Sequence, residues 1–165
     1  MGDDHISAWP DWYAALPVTI SAAGVLFFDD AGRVMLVHTS YKDDWDIPGG
    51  IIETDKGETP IRAARREIAE ELGLDIEVGR LLCVDQVPAI SNRRPMLVFI
   101  FDGGVLHAEE LDGIRFIDSE ITETRFCTAD QVTELAPPSL ARRLAATIKV
   151  RDMGAQSPIF LSDGS

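Results

Sequence analysis

Three glutamates, Glu67, Glu70 and Glu71, stand at positions i, i+3 and i+4 of a stretch whose apolar residues recur at helical spacing. On a helix this places three carboxylates on one face, within a turn of one another. Like charges so close repel, and a helix gains nothing from gathering them unless a cation compensates. Oxygen donors at this density suit a hard divalent ion, Mg2+ or Mn2+, far better than zinc. Arg62, Arg65 and Arg66 offer another compensation, a solvated and salt-bridged surface, and the trio alone leaves both readings open.

The setting of the trio is informative. Gly49 and Gly50 follow Pro48, and adjacent glycines let a backbone come close to a ligand and offer carbonyls to a metal. Gly57 and Glu58 stand just before the helix. Read as a whole, Gly50 to Leu74 (GIIETDKGETPIRAARREIAEELGL) resembles the Nudix box. That pattern is Gly, five residues, Glu, seven residues, then Arg-Glu-apolar-x-Glu-Glu-x-Gly-apolar. From Glu58 through Arg66-Glu67-Ile68-Ala69-Glu70-Glu71-Leu72-Gly73-Leu74 it fits without a gap. The chain departs in one place: seven residues, not five, separate Gly50 from Glu58, and the extra pair is assigned to Thr54-Asp55-Lys56. The resemblance extends to Tyr41–Gly50, with its Trp-x-x-Pro-Gly-Gly ending, and to Ser119–Phe126, a late Glu-rich loop and strand.

The resemblance implies a Nudix hydrolase that cleaves a pyrophosphate bond in a nucleoside-diphosphate-linked small molecule by attack of water. It implies a Mg2+ site, with Mn2+ as an alternative, made by Glu67, Glu70 and Glu71 and a backbone carbonyl of Gly49 or Gly50. The ion would bridge phosphate oxygens and lower the pKa of the attacking water. Arg66 would orient Glu67, which is also a candidate general base, so Arg66, Glu67, Glu70 and Glu58 form the catalytic set. Glu58 has an alternative role as a carboxylate favoured by the helix dipole. Glu120 is a candidate extra acid from outside the box, or a solvated loop residue. Trp45 could stack on a base or simply pack, and Arg93 and Arg94 could contact phosphate or form a polar loop tip.

The elements that must position these groups are also legible. Thr59 is the expected N-cap of a helix over Pro60–Leu72, Pro60 suits its first position, and Gly73 ends it. Ile61, Ala64, Ile68 and Leu72 give that helix one apolar face to lay on a sheet. Strands are expected at Pro17–Asp29, Val34–Val37, Glu77–Asp85, Met96–Leu106 and Glu123–Cys127, with a turn at Asp29–Gly32. Thr128 and Gln131 have capping-box spacing before a short helix, and Pro137-Pro138 precedes a last helix near Ser139–Met153. The fold class expected is α/β, the Nudix fold, a mixed sheet sandwiched between helices. Residues 1–16 are read as an N-terminal extension, 17–136 as the core, and 137–165 as a C-terminal helix and tail packing on it.

Composition narrows the partners. The 165 residues suit one domain, with 45% hydrophobic and 26% charged. A formal charge of −13 argues against duplex nucleic acid but not against a small phosphate-bearing substrate met through a metal. No apolar run is long enough to cross a membrane, and the start, carrying Asp3 and Asp4, is unlike a signal peptide, so a cytoplasmic location is expected. A homodimer is in keeping with many relatives. Cys83 and Cys127 lie in apolar runs and read as buried thiols; this weighs against isopentenyl diphosphate isomerase, which resembles the family but uses a cysteine at the reacting carbon. The alternative function is a non-catalytic Nudix domain that senses a nucleotide or nucleotide sugar; a domain whose box is a relic is a further one. The complete set of box glutamates speaks against both. Pro88 lies near where ADP-ribose-cleaving members often carry a proline, which decides little about substrate.

Overall fold

The computed structural model describes residues 9–117 and 119–165. Asp3, Asp4 and His5, with the rest of the first half of the expected extension, lie outside them. In chain order the elements are α1 (Asp11–Ala14), β1 (Ile20–Phe28), β2 (Val34–Thr39), β3 (Trp45–Asp46), β4 (Gly49–Ile51), a 3-10 turn (Thr54–Lys56), α2 (Pro60–Leu72), β5 (Leu81–Val87), β6 (Met96–Val105), α3 (Ala108–Gly113), β7 (Ile121–Cys127), α4 (Ala129–Leu135), α5 (Pro138–Asp152) and β8 (Ile159–Ser162).

Alternation along β1 explains the layering. Ala23, Val25 and Phe27 enter one apolar core with Ala64, Ile68 and Leu72 of α2. Leu26 and Phe28 enter a second core with Val132 of α4 and Leu140 and Leu144 of α5. A strand buried on both faces reads as a continuous apolar run, and Val25-Leu26-Phe27-Phe28 is one. The sheet order is β3-β2-β1-β6-β5-β8, with β4 also on β1 and β7 also on β2. β1 and β6 run parallel, as do β5 and β8, whereas the β5–β6, β1–β4 and β2–β7 pairs are antiparallel. This is the expected α/β class, a mixed sheet between helical layers.

β1 shares its second edge between two partners. It meets β2 at Phe28–Val34, but from Gly24 back to Ala22 it pairs with β4 instead. β1 and β2 therefore diverge, and the gap between them becomes a cleft.

Several expectations need adjusting. Thr59 holds the N-cap position of α2, yet its side chain makes no capping bond; its carbonyl accepts from Ala63 N–H at 3.0 Å. β5 starts at Leu81 rather than Glu77, because Gly79 N–H already bonds the Asp102 carbonyl before the regular ladder begins, and the register shifts between Leu81 and Cys83. The approach to the glycines, where no strand was expected, forms β3 and β4. The tail supplies β8, an edge strand on β5. α3 was not anticipated, and its first turn is held by Glu110, whose carboxylate accepts from His107 N–H at 2.8 Å.

Ile68 is 1% exposed and fixes α2 to the sheet. Truncation there leaves a cavity under the glutamates, so Ile68→Ala is expected to destabilise the fold by about 2–5 kcal/mol. Urea unfolding should show a lower midpoint with an unchanged slope.

Candidate active site

The glutamates and the glycines meet where α2 lies on β4. Gly50 carries no side chain, and a Cβ there would land on the carboxylate of Glu67. Gly49 has φ 144°, and a Cβ on it would run into the carbonyl of Ala23 in the neighbouring strand. Its N–H donates to Glu71 Oε2 at 2.9 Å. Glu71, only 5% exposed, thus ties the helix to the strand.

One guanidinium organises the rest. Arg66 Nε and Nη2 donate to the two oxygens of Glu58 at 2.9 and 3.1 Å. Nη1 donates to Glu67 Oε1 at 2.8 Å and to Glu70 Oε2 at 2.9 Å, while Nη2 also reaches the Ile51 carbonyl at 3.0 Å. Glu58 takes a further hydrogen bond from Glu53 N–H at 2.9 Å.

The environments push the carboxyls apart. Hydrogen bonds from Arg66 and from Glu53 N–H hold Glu58 down to about 2. Burial pushes Glu67 up; Arg66 opposes this, while the charges of Glu70 and Glu120 add to it. Glu120, from the loop before β7, is therefore within electrostatic reach of the box. Burial likewise raises both thiols, Cys83 and Cys127, which are free and buried.

Glu71, Gly49 and Gly50 line the α2 side of the cleft, whose volume is about 490 Å3. Trp45 and Arg93 line it as well, whereas Arg94 is exposed beside it. Trp45 is 7% exposed and held in place, with the Arg125 guanidinium 4.6 Å from its ring centre and His38 at 5.3 Å. Arg93, itself exposed, stands at the end of a tight bridge with Ile90. The sequence reading missed three polar residues here. Thr39, 4% exposed, lines the cleft with its hydroxyl unpartnered among the described residues. Arg143 lines it from α5 and bonds Asp85 on β5. An aspartate inside the apolar run Leu81–Val87 was the one available signal for that pair.

The donor set suits a hard divalent cation. It offers carboxylate oxygens on one helix face, one of them raised in pKa by burial and like charge, with two glycines of the strand against it. Among the described residues no three such side chains already converge as a ready-made cage, because Arg66 and Gly49 N–H hold the oxygens.

Comparison with known proteins bears on the family and the fold. The NUDIX domain family model matches residues 18–148. A MutT-like protein of Streptomyces ambofaciens is 30% identical over 126 residues, 76% of this chain and 74% of that protein. An ADP-ribose pyrophosphatase of Mycobacterium tuberculosis is 32% identical over 76 residues, 43% of this chain but only 36% of its own length. Among solved structures, the MutT protein of Methanosarcina mazei Go1 superposes with a TM-score of 0.65 at 18% identity, covering 85% of this chain and 98% of its own.

The Glu58–Arg66 pair has a pH consequence. The folded carboxyl titrates below its ordinary 4.5, so between 4.5 and about 2 the unfolded chain binds more protons. The pair's stabilisation is present above that window and is lost as pH falls through it. Glu58→Gln should lower stability at neutral pH and flatten the acid limb, as measured by urea unfolding from about pH 7 down to about pH 3.

Proposed function

This chain belongs to the Nudix hydrolase family, and on that premise we propose that it hydrolyses a pyrophosphate bond in a nucleoside-diphosphate-linked small molecule, with Mg2+ or Mn2+ held by Glu67, Glu70 and Glu71. The observation that carries the reading is the single network in which Arg66 gathers Glu58, Glu67 and Glu70 beside Gly50. Relatives bearing pyrophosphatase names, such as the Mycobacterium tuberculosis protein, support the reaction class.

When bound, the metal would neutralise phosphate charge and activate water. The chain's own groups do the positioning. Glu71 on α2 and Gly49 and Gly50 on β4 line the cleft, and Gly49 N–H holds the Glu71 carboxylate. Arg66 fixes the rotamers of Glu67 and Glu70 through one nitrogen, so a shift in either carboxylate is felt by the other. Burial leaves Glu67 easier to protonate than an ordinary glutamate, which suits a group that takes a proton from the attacking water and returns it. Glu58 saturates the far side of Arg66 and keeps that cation in place. Displacement at phosphorus then relies on orientation and electrostatics rather than covalent chemistry on the protein.

The test is phosphate release from a panel of nucleoside-diphosphate-linked compounds, coupled to a phosphatase, in Mg2+, in Mn2+ and in EDTA. Turnover should require the metal, and Glu70→Gln should reduce kcat on the order of 100-fold or more. Tight binding of a compound with no cleavage of any would overturn the hydrolase in favour of a ligand sensor.

A further inference from the structure

The α5 side of the cleft carries a polar device that the proposed chemistry does not use. Arg143 is 8% exposed, lines the cleft, and donates from Nε to Asp85 Oδ2 at 2.5 Å. That bond uses Nε alone. The second oxygen of Asp85 stays buried without a hydrogen-bond partner among the described residues, so the contact is single-pronged rather than a two-bond fork. A guanidinium has five N–H donors in a fixed fork and no acceptor, and here one is spent on an anchor. Among the described residues the two terminal nitrogens take no hydrogen-bond partner, and they remain for a ligand.

The surroundings define what such a ligand looks like. Val87, Met96 and Val98 are cross-strand neighbours on the sheet surface below Arg143, and Leu140 stands one turn before it on α5. Trp45 and Ile47 close the cleft from the β2–β3 side. A cleft of about 490 Å3 with apolar side chains on its walls and guanidinium donors among its lining fits a nucleobase, with the pyrophosphate directed to the α2 side.

We propose that Arg143 is a specificity-determining residue, its terminal nitrogens donating to the O6 and N7 acceptors of a 6-oxopurine, so that the cleft takes guanine or hypoxanthine nucleotides in preference to adenine ones. The assignment rests on the reading of the cleft as a nucleotide site. A donor-only fork matches two adjacent acceptors, as in Arg–guanine recognition. Adenine would turn its amino group toward that fork, leaving nearly buried donors facing a donor. Asp85 sets the plane of the fork from behind, which makes it a positioning residue.

Equilibrium binding of GDP, IDP and ADP to the full chain, by calorimetry without metal, tests the assignment independently of turnover. The unmodified chain should bind GDP and IDP on the order of tenfold or more tighter than ADP. Arg143→Gln substitutes an amide that suits adenine, and it should erase or reverse the preference. Arg143→Lys keeps the charge beside Asp85 but loses the fork, and it should reduce the preference to a few-fold. If Arg143→Gln does not fold by circular dichroism, Arg143→Lys and the charge-balanced Asp85→Asn/Arg143→Gln double variant carry the comparison. Equal affinities, a preference for ADP, no binding of any of the three, or a preference that survives every folded variant overturns the assignment. Metal-dependent turnover with no base preference would overturn it while leaving the hydrolase intact. Base-selective binding without turnover would do the opposite.

Discussion

Everything at the candidate site depends on how one guanidinium is surrounded. Arg66 contacts three carboxylates and a backbone carbonyl, and each contact recruits a different part of the chain: the loop before α2 through Glu58, the helix itself through Glu67 and Glu70, and β4 through Ile51. Without that cation, three acidic groups packed against a strand would repel one another and pull the helix from the sheet. With it, Glu58 is held far below its ordinary value, while burial pushes Glu67 up against the pull of the same guanidinium. Opposite shifts at neighbouring carboxyls are how one site comes to hold an anion and a proton acceptor side by side.

The network needs a rigid base, and the sheet supplies it. β1 is paired on both edges and buried on both faces, so it cannot tilt without disturbing two apolar cores. β4 is fastened to its first half, which brings Gly49 and Gly50 to the helix, and β2 leaves it after Phe28, which opens the cleft. The close approach of the glycines and the opening of the cleft therefore come from the same switch of partners along one strand. The helices contribute from opposite sides: α2 brings acid to one flank, and α5 brings Arg143 to the other.

What could be read from the sequence divides along the range of the interactions involved. α2 was legible to the residue, because Pro60, Gly73 and the apolar spacing act within one helix. The Thr128–Gln131 capping box was legible for the same reason, and the bond from Thr128 N–H to Gln131 is there at 2.9 Å. The neighbouring glycines were readable as a close approach, though not that Glu67 is what approaches Gly50. β8 was invisible: Ile159–Ser162 is short, half exposed, and a strand only because β5 offers an edge. The Asp85–Arg143 pair is 58 residues apart in sequence and has no local signature. Thr59 was read as a cap from residue type alone, but its side chain makes no such bond.

The longer loop of the box shows how an insertion can be absorbed without moving what it connects. Between Glu53 and Glu58 the chain makes a 3-10 turn, with Lys56 N–H on the Glu53 carbonyl at 3.0 Å and Gly57 N–H on the Thr54 carbonyl at 3.1 Å. Gly57 sits at φ 69°, a left-handed conformation that costs most residues energy and glycine little. The loop then closes on itself: Glu58 N–H bonds the Glu53 carbonyl at 3.2 Å, and Glu53 N–H bonds the Glu58 carboxylate at 2.9 Å. The two extra residues are spent on a turn whose ends are pinned together, so Glu58 arrives at Arg66 in a two-pronged contact. Since added loop length costs only slowly growing entropy, spacing in that segment is a weaker constraint than spacing on the helix, where one inserted residue would rotate Glu67, Glu70 and Glu71 by about 100° away from Gly50.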